Sequence, residues 1–247
     1  MLLRSTMLKN ILEGIQAYFS AFELLNKLKL WKYFAIPILI SVVTAILVFV
    51  SAYFLSAIIG DQITSLWTFD WGKDIVSTIS NFIGGTIIIV FGLVIYRHVV
   101  MAFSAPFMSP VSEAIEKYYL GDVHTDAKFS ITLARAIKIN ARNLFKEILF
   151  IIPLFFLSLI PVIGIVFTGL IFLIQAYYAG FGNMDYTLER HYNYKDSITF
   201  VKQHKGIAIG NGIVFMLLLM IPVLGIILVL PLSVVSATKE TVKRVHQ

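Results

Sequence analysis

LSLIPVIGIVF, residues 157–167, is apolar at every position except Ser158, yet it holds Pro161 and Gly164 at its centre. LLMIPVLGIIL, residues 218–228, repeats the break without a gap, so that Pro222 answers Pro161 and Gly225 answers Gly164. Proline removes a backbone donor and its ring clashes with the preceding turn, so a helix that reaches either break is expected to stop or bend there. How the chain continues past these two breaks decides the fold.

Working outward, the two stretches lie inside apolar runs at 148–184 and 206–238, and two further runs occupy 33–60 and 75–96. With 58% hydrophobic residues, 14% charged residues and a mean hydropathy of +0.86, the chain lacks the polar surface of a soluble domain and reads as an integral membrane protein. A hydrocarbon core about 30 Å thick needs roughly 20 helical residues, so runs 33–60 and 75–96 each read as one spanning helix. The broken runs exceed one span and fall short of two. Their halves, mostly too short to cross, predict re-entrant hairpins; a long kinked span is the alternative.

Charge placement separates these readings, because Lys and Arg collect on the cytoplasmic side. If every run crosses once, five basic residues lie outside against fifteen inside; with two hairpins that enter and leave on one face, only Lys73 lies outside. The hairpin reading follows. It organises residues 1–247 as one membrane domain: an amphipathic helix (1–32), span one (33–60), span two (75–96), a cytoplasmic helical segment (97–147), hairpin one (148–184), a basic linker (185–205), hairpin two (206–238) and a tail (239–247). Both termini are then cytoplasmic, and the first apolar run begins too late and runs too long for a cleaved signal.

Two polar-flanked stretches predict interfacial helices. In MLKNILEGIQAYFSAFELLNK, residues 7–27, apolar side chains recur at helical spacing opposite Lys9, Glu13, Gln16, Glu23 and Lys27, the pattern of a helix lying on a membrane. In FSITLARAIKINARNLFKEIL, residues 129–149, Arg135, Lys138, Arg142 and Lys146 form a basic stripe, suited to lipid phosphates or to an electrostatic funnel for an anion. Ser109 before Pro110, with Gly121 closing, predicts a short helix after span two.

Several chemistries are excluded or unsupported. The chain has no cysteine, which removes disulfides, thiolate metal sites and iron–sulfur clusters. Neither HExxH nor GxxxxGK[ST] occurs, and no basic patch interleaved with aromatics suggests nucleic acid. No catalytic, cofactor-binding or metal-ligating set is expected, and no cofactor. The dense group Asp185, Tyr186, Glu189, Arg190 and His191 reads as ion pairs fixing a linker, with a membrane enzyme as the remote rival.

Taken together, SAPFMSPVSEAIEKYY after span two, the doubled IPVIG and IPVLG, GNMDYTLERHYNYKDSITFVKQHK between them and LPLSVVSATK near the end resemble the CysZ sulfate permease family and its wider superfamily of etoposide-induced-protein relatives. The resemblance covers about Gly14 to Thr238. It implies an all-α, oligomeric protein of the bacterial inner membrane, with two long spanning helices and half-penetrating hairpins, that admits sulfate for cysteine synthesis; the absence of Asp, Glu, Lys and Arg within the spans points to a passive, channel-like path. A non-transporting scaffold or lipid-interacting protein of the superfamily is the alternative.

Within that resemblance, LKLWKYFAIP at 28–37 departs from a Gly-Leu/Ile-Arg pattern: Lys29 stands at the glycine and Trp31 at the arginine, with Lys32 at the following basic position. Lys29 and Lys32 supply point charge where the family has a guanidinium fork. The candidate anion-binding residues are therefore Lys29, Trp31, Lys32 and Arg97, with Arg135, Lys138, Arg142 and Lys146 as a funnel and Pro161, Gly164, Pro222 and Gly225 as hairpin breaks. The expected partners are sulfate, membrane lipids and further copies of the chain.

Overall fold

A computed structural model describes residues 2–69, 71–121, 128–221 and 224–245, and among them the chain is helical with no strand. The elements are α1 (Leu2–Lys27), a 3₁₀ turn (Leu30–Phe34), α2 (Ala35–Thr64), α3 (Lys73–Leu120), α4 (Phe129–Ser158), α5 (Gly164–His191), α6 (Tyr194–Gln203), α7 (Lys205–Leu219) and α8 (Leu224–Val245). Three segments are long and apolar enough to cross a membrane: Leu30–Thr64, Lys73–Leu120 and Gly164–His191. The protein is a multi-pass, all-α membrane protein.

Two compact units divide the chain, residues 41–97 forming one and residues 1–40 with 98–247 the other. In the smaller unit α2 and α3 run antiparallel, brought close by small residues. A side chain at Gly84 would meet the Ser56 carbonyl, and one at Gly92 would meet Val48. Leu47, Phe54 and Phe82 point outward at 60%, 68% and 76% exposure, which costs little in lipid, where packing rather than apolar burial holds helices together. At the α2–α3 connection the Trp67 ring lies 5.5 Å from Phe69 and 5.6 Å from Trp71, an aromatic cluster of the kind that settles at a membrane interface.

In the larger unit α5 packs on α4 and α7, and α7 also packs on α1 and α8. Small-xxx-small spacing explains why α7 sits in the middle. Its Ala208 and Gly212 meet Gly180 and Ala176 of α5 so closely that a Cβ on Gly180 or Gly212 would fall inside a carbonyl of the opposite helix. The nearly opposite face, Gly206 and Gly210, receives α1 at Ile11 and Gly14 in the same way. Helix α1 therefore presents two faces: Gly14, Ala17, Ala21 and Leu25 inward, and Leu8, Leu12, Phe19 and Phe22 outward.

Both broken runs are interrupted where the sequence places the breaks. Pro106, Pro110, Pro153 and Pro231 lie inside helices, so proline alone does not end one here. What the two tips add is glycine at the start of the returning helix. The Gly164 N–H donates to the Ile160 carbonyl at 2.8 Å, and the Gly225 N–H donates to the Ile221 carbonyl at 2.8 Å. A Cβ on Gly164 would run into Ser158 and one on Gly225 into Leu218 and Leu219. Pro222 lies outside the described residues.

Two boundaries differ from expectation. The basic amphipathic stretch and the first half of hairpin one are one helix, α4, because nothing between 129 and 152 interrupts hydrogen bonding. Span two likewise continues through Pro106 and Pro110 to Leu120, with no separate helix beginning at Ser109; Gly121 at φ 88° closes it, as expected.

Candidate anion site and the buried polar network

Lys29, Trp31 and Lys32 occupy the elbow between α1 and the helix that follows. The Leu28 and Lys29 amides close α1 by donating to Leu24 and Asn26 at 2.9 and 3.1 Å, and the chain reverses through Lys29 at φ 52°. That left-handed conformation favours glycine, and it falls at the position where the family resemblance places one. Trp31 is held by an Nε1–H bond to Asn26 Oδ1 at 2.7 Å and by edge contacts with Phe22 and Phe34 at 5.8 and 6.3 Å. Its donor is thereby engaged within the protein.

Lys29 and Lys32 are exposed and have no ion-pair partner among the described residues; Lys32 Nζ lies 5.2 Å from the Tyr33 ring. Neighbouring cations are more committed. Lys27 donates to Tyr118 Oη at 2.7 Å, which raises its pKa above the ordinary lysine range. Lys117 pairs with Glu113 at 2.8 Å, and Lys239 donates to Ser20 at 2.6 Å.

Along α4 the basic stripe separates into two pairs of behaviour. Arg135 turns inward: Nη2 meets Asp185 Oδ1 at 3.0 Å and Ser197 Oγ at 2.7 Å, while Nη1 donates to the Tyr192 carbonyl at 2.7 Å. Arg142 lies 5.6 Å from the Phe181 ring and donates to Asn143 Oδ1 at 2.8 Å. Lys138, 4.4 Å from the Tyr194 ring, and Lys146 stay exposed.

The face of α4 next to that stripe is buried and polar. Asn140, Asn143 and Glu147 are all within 4% of complete burial. His98 Nε2 donates to Glu147 Oε2 at 2.8 Å, with His98 Nδ1 3.4 Å from Asn140 Oδ1. Arg97, immediately before His98 in α3, is 1% exposed. Residues at the edges of the apolar runs are thus among the most buried ionisable groups in the chain.

A second network joins the basic ends of α3, α5 and α8. Arg190 Nε donates to Glu116 Oε2 at 2.8 Å, the other Glu116 oxygen takes His191 Nε2, and Arg190 Nη2 donates to Ser112 Oγ at 2.7 Å. Ser112, Thr187 and Thr238 complete a hydroxyl triangle at 2.8, 3.1 and 3.0 Å. Deeper, Asn211 of α7 accepts from Asn183 at 2.8 Å and donates to Ser236 at 2.7 Å, and its carbonyl receives Tyr18 at 2.9 Å. With both carboxylate oxygens of Glu116 occupied, this arrangement ties helices together; breaking such a buried pair costs about 3–5 kcal/mol.

Residues 17–229 match the model of the family described as sulfate transporter CysZ/etoposide-induced protein 2.4. The chain belongs to this family. Over 141 residues it is 30% identical to the sulfate transporter CysZ of Vibrio parahaemolyticus, an alignment spanning 55% of this chain and 56% of that protein. The chain thus matches about half the length of that relative.

For this CysZ-family chain, the structure brings Lys29, Trp31 and Lys32 together at one elbow and places Arg135 with the Asp185 group. It does not unite the four stripe residues as one exposed surface. The His98–Glu147 pair and the Asn183–Asn211 pair were absent from the sequence-based candidates. A signal existed for the first: Asn140, Asn143 and Glu147 recur at spacings of three and four on one helical face. The second had none, since single Asn residues inside Gly-rich helices carry no period.

Proposed function

We propose that this protein conducts a small inorganic anion, sulfate first among them, across the bacterial inner membrane by a passive, channel-like path that supplies cysteine synthesis. The observation that carries the reading is the elbow: two exposed lysines, three residues apart and without acidic partners among the described residues, at the start of the first apolar run, in a chain whose family is described by sulfate transport. An anion arriving there meets two positive charges, and no carboxylate contact of either lysine competes for it. Lys138 and Lys146 extend the positive field, with Arg97 and the ion-paired Arg135 and Arg142 as inner contributors.

On this reading the α4–α5 and α7–α8 hairpins enter and leave on the cytoplasmic face, the termini lie on that face, and copies of the chain assemble around the path. No group in this scheme performs covalent chemistry. Radiolabelled sulfate uptake into liposomes holding the pure protein is the test. Uptake above empty liposomes, reduced about tenfold by the double substitution Lys29→Gln with Lys32→Gln, is expected; folded protein without uptake would overturn it. A non-transporting lipid-interacting role is the second reading, favoured by the outward Leu8, Leu12, Phe19 and Phe22 of α1 beside Lys9, and it predicts that null result.

A further inference from the structure

An open groove of about 540 Å³ runs between α1, α4, α5 and α7, and its wall is almost wholly apolar. Its residues are graded along the groove. Ala208 and Gly212 of α7 meet Gly180 and Ala176 of α5, so the helices are antiparallel and Lys205 lies level with about residue 183 of α5. From there the α5 wall passes Tyr178 and Tyr177, then Ile174, then Leu173 and Leu170, a descent of about 20 Å at 1.5 Å per residue. The polar groups sit at one end and hydrocarbon occupies the rest.

Three features of the polar end lack protein partners. Lys205 is exposed and forms no ion pair among the described residues, and the Tyr177 and Tyr178 hydroxyls form no hydrogen bond among them, although Tyr178 is only 6% exposed. Lys205 is also the first residue of α7, whose N-cap, His204, turns its Nδ1 to the Phe200 carbonyl at 2.9 Å and caps no α7 amide with its side chain. A cation at the positive end of a helix dipole is locally unfavourable, and an anion beside it relieves both. Lys146, one turn before the groove residue Phe150 on α4, adds positive charge on the same helix face.

We infer that this groove is a binding site for one anionic glycerophospholipid drawn from the surrounding bilayer, with an acyl chain along Ile174, Leu173 and Leu170 and its phosphate between Lys205 and the tyrosine hydroxyls. The volume falls within the range of sites that enclose a ligand chain, and the polar-to-apolar gradient matches a lipid's own. Zwitterionic lipids satisfy the apolar wall but leave the lysine charge uncompensated. The site therefore selects by headgroup charge.

Native mass spectrometry of the full chain in detergent, titrated separately with phosphatidylglycerol and phosphatidylcholine, tests this. One phosphatidylglycerol retained in preference to phosphatidylcholine is expected, with Lys205→Gln weakening phosphatidylglycerol about fivefold and leaving phosphatidylcholine unchanged. Leu173→Trp, which fills the groove from an exposed position, should displace both lipids, and Lys195→Gln on the exposed linker should change neither. Unfolding temperatures in lipid-free detergent confirm that each variant is folded. Equal retention of the two lipids by the unsubstituted protein, or unchanged phosphatidylglycerol binding by folded Lys205→Gln or Leu173→Trp, would overturn the assignment.

Discussion

The two Pro-x-x-Gly hairpins share a turn and differ in almost everything around it. At each tip a glycine N–H returns to an isoleucine carbonyl at 2.8 Å, and four residues before the proline a leucine carbonyl accepts, at 3.2 Å in one case and 3.0 Å in the other. Yet α4 and α5 run 30 and 28 residues, while α7 and α8 run 15 and 22. The first tip is bare, with Phe156 65%, Leu159 65%, Val162 90% and Ile165 80% exposed. The second tip is open too, with Met220 73% exposed, and the difference lies along the arms: α7 is buried from Gly206 to Gly212 at its start, whereas in α5 the long buried stretch begins only at Ala176. The turn chemistry sets where the chain reverses; small residues such as Gly180 of α5 and Gly212 of α7 set how closely the arms pack.

Glycine substitution on the arms should separate packed from open positions most sharply. Gly212→Leu forces a side chain into the Ala176 carbonyl, and a loss of about 3 kcal/mol or more, read as a lowered unfolding temperature or failure to elute as a single species, is expected. Gly169→Leu, on the open part of α5 near the first tip, meets no neighbour and should shift stability by no more than about 0.5 kcal/mol. Equal effects would mean that close packing does not distinguish these two positions.

At the tips the expectation reverses, and the hairpins should respond together. Gly164→Ala and Gly225→Ala each place a methyl against backbone of the outgoing helix, and losses of about 1–3 kcal/mol, similar in the two variants, should appear in thermal unfolding. A large disparity would break the equivalence of the two turns. The smallest effect is one of relief. Val162 holds φ 70° at an exposed position of the first tip, so Val162→Gly should stabilise the fold by about 0.5–1 kcal/mol.

Much of this was legible from apolar run lengths and one repeated motif. The runs located the helices, and Pro161 with Gly164 located a reversal that α4 and α5 confirm within a few residues. Packing was harder to see. The stripe Arg135, Lys138, Arg142 and Lys146 looked like one surface because charge marks a helix face, but Arg135 reaches round to Asp185, fifty residues away in sequence. Glu147 was hidden for a related reason: a boundary drawn where hydropathy changes treats the last charged residue as solvated, whereas it pairs with His98 across helices. The inward face of α1 was hidden because glycine and alanine contribute little to a hydrophobic period, although they permit its closest contacts.

In the proposed topology both hairpins enter and leave on the cytoplasmic face, which puts the linker between them and the tail on one side. Because the chain contains no cysteine, single substitutions report position directly. Lys195→Cys and Lys243→Cys, labelled with a membrane-impermeant maleimide in oriented vesicles, should both react only from the cytoplasmic side. Reaction of Lys195→Cys from the opposite side, with Lys243→Cys still cytoplasmic, would contradict the account.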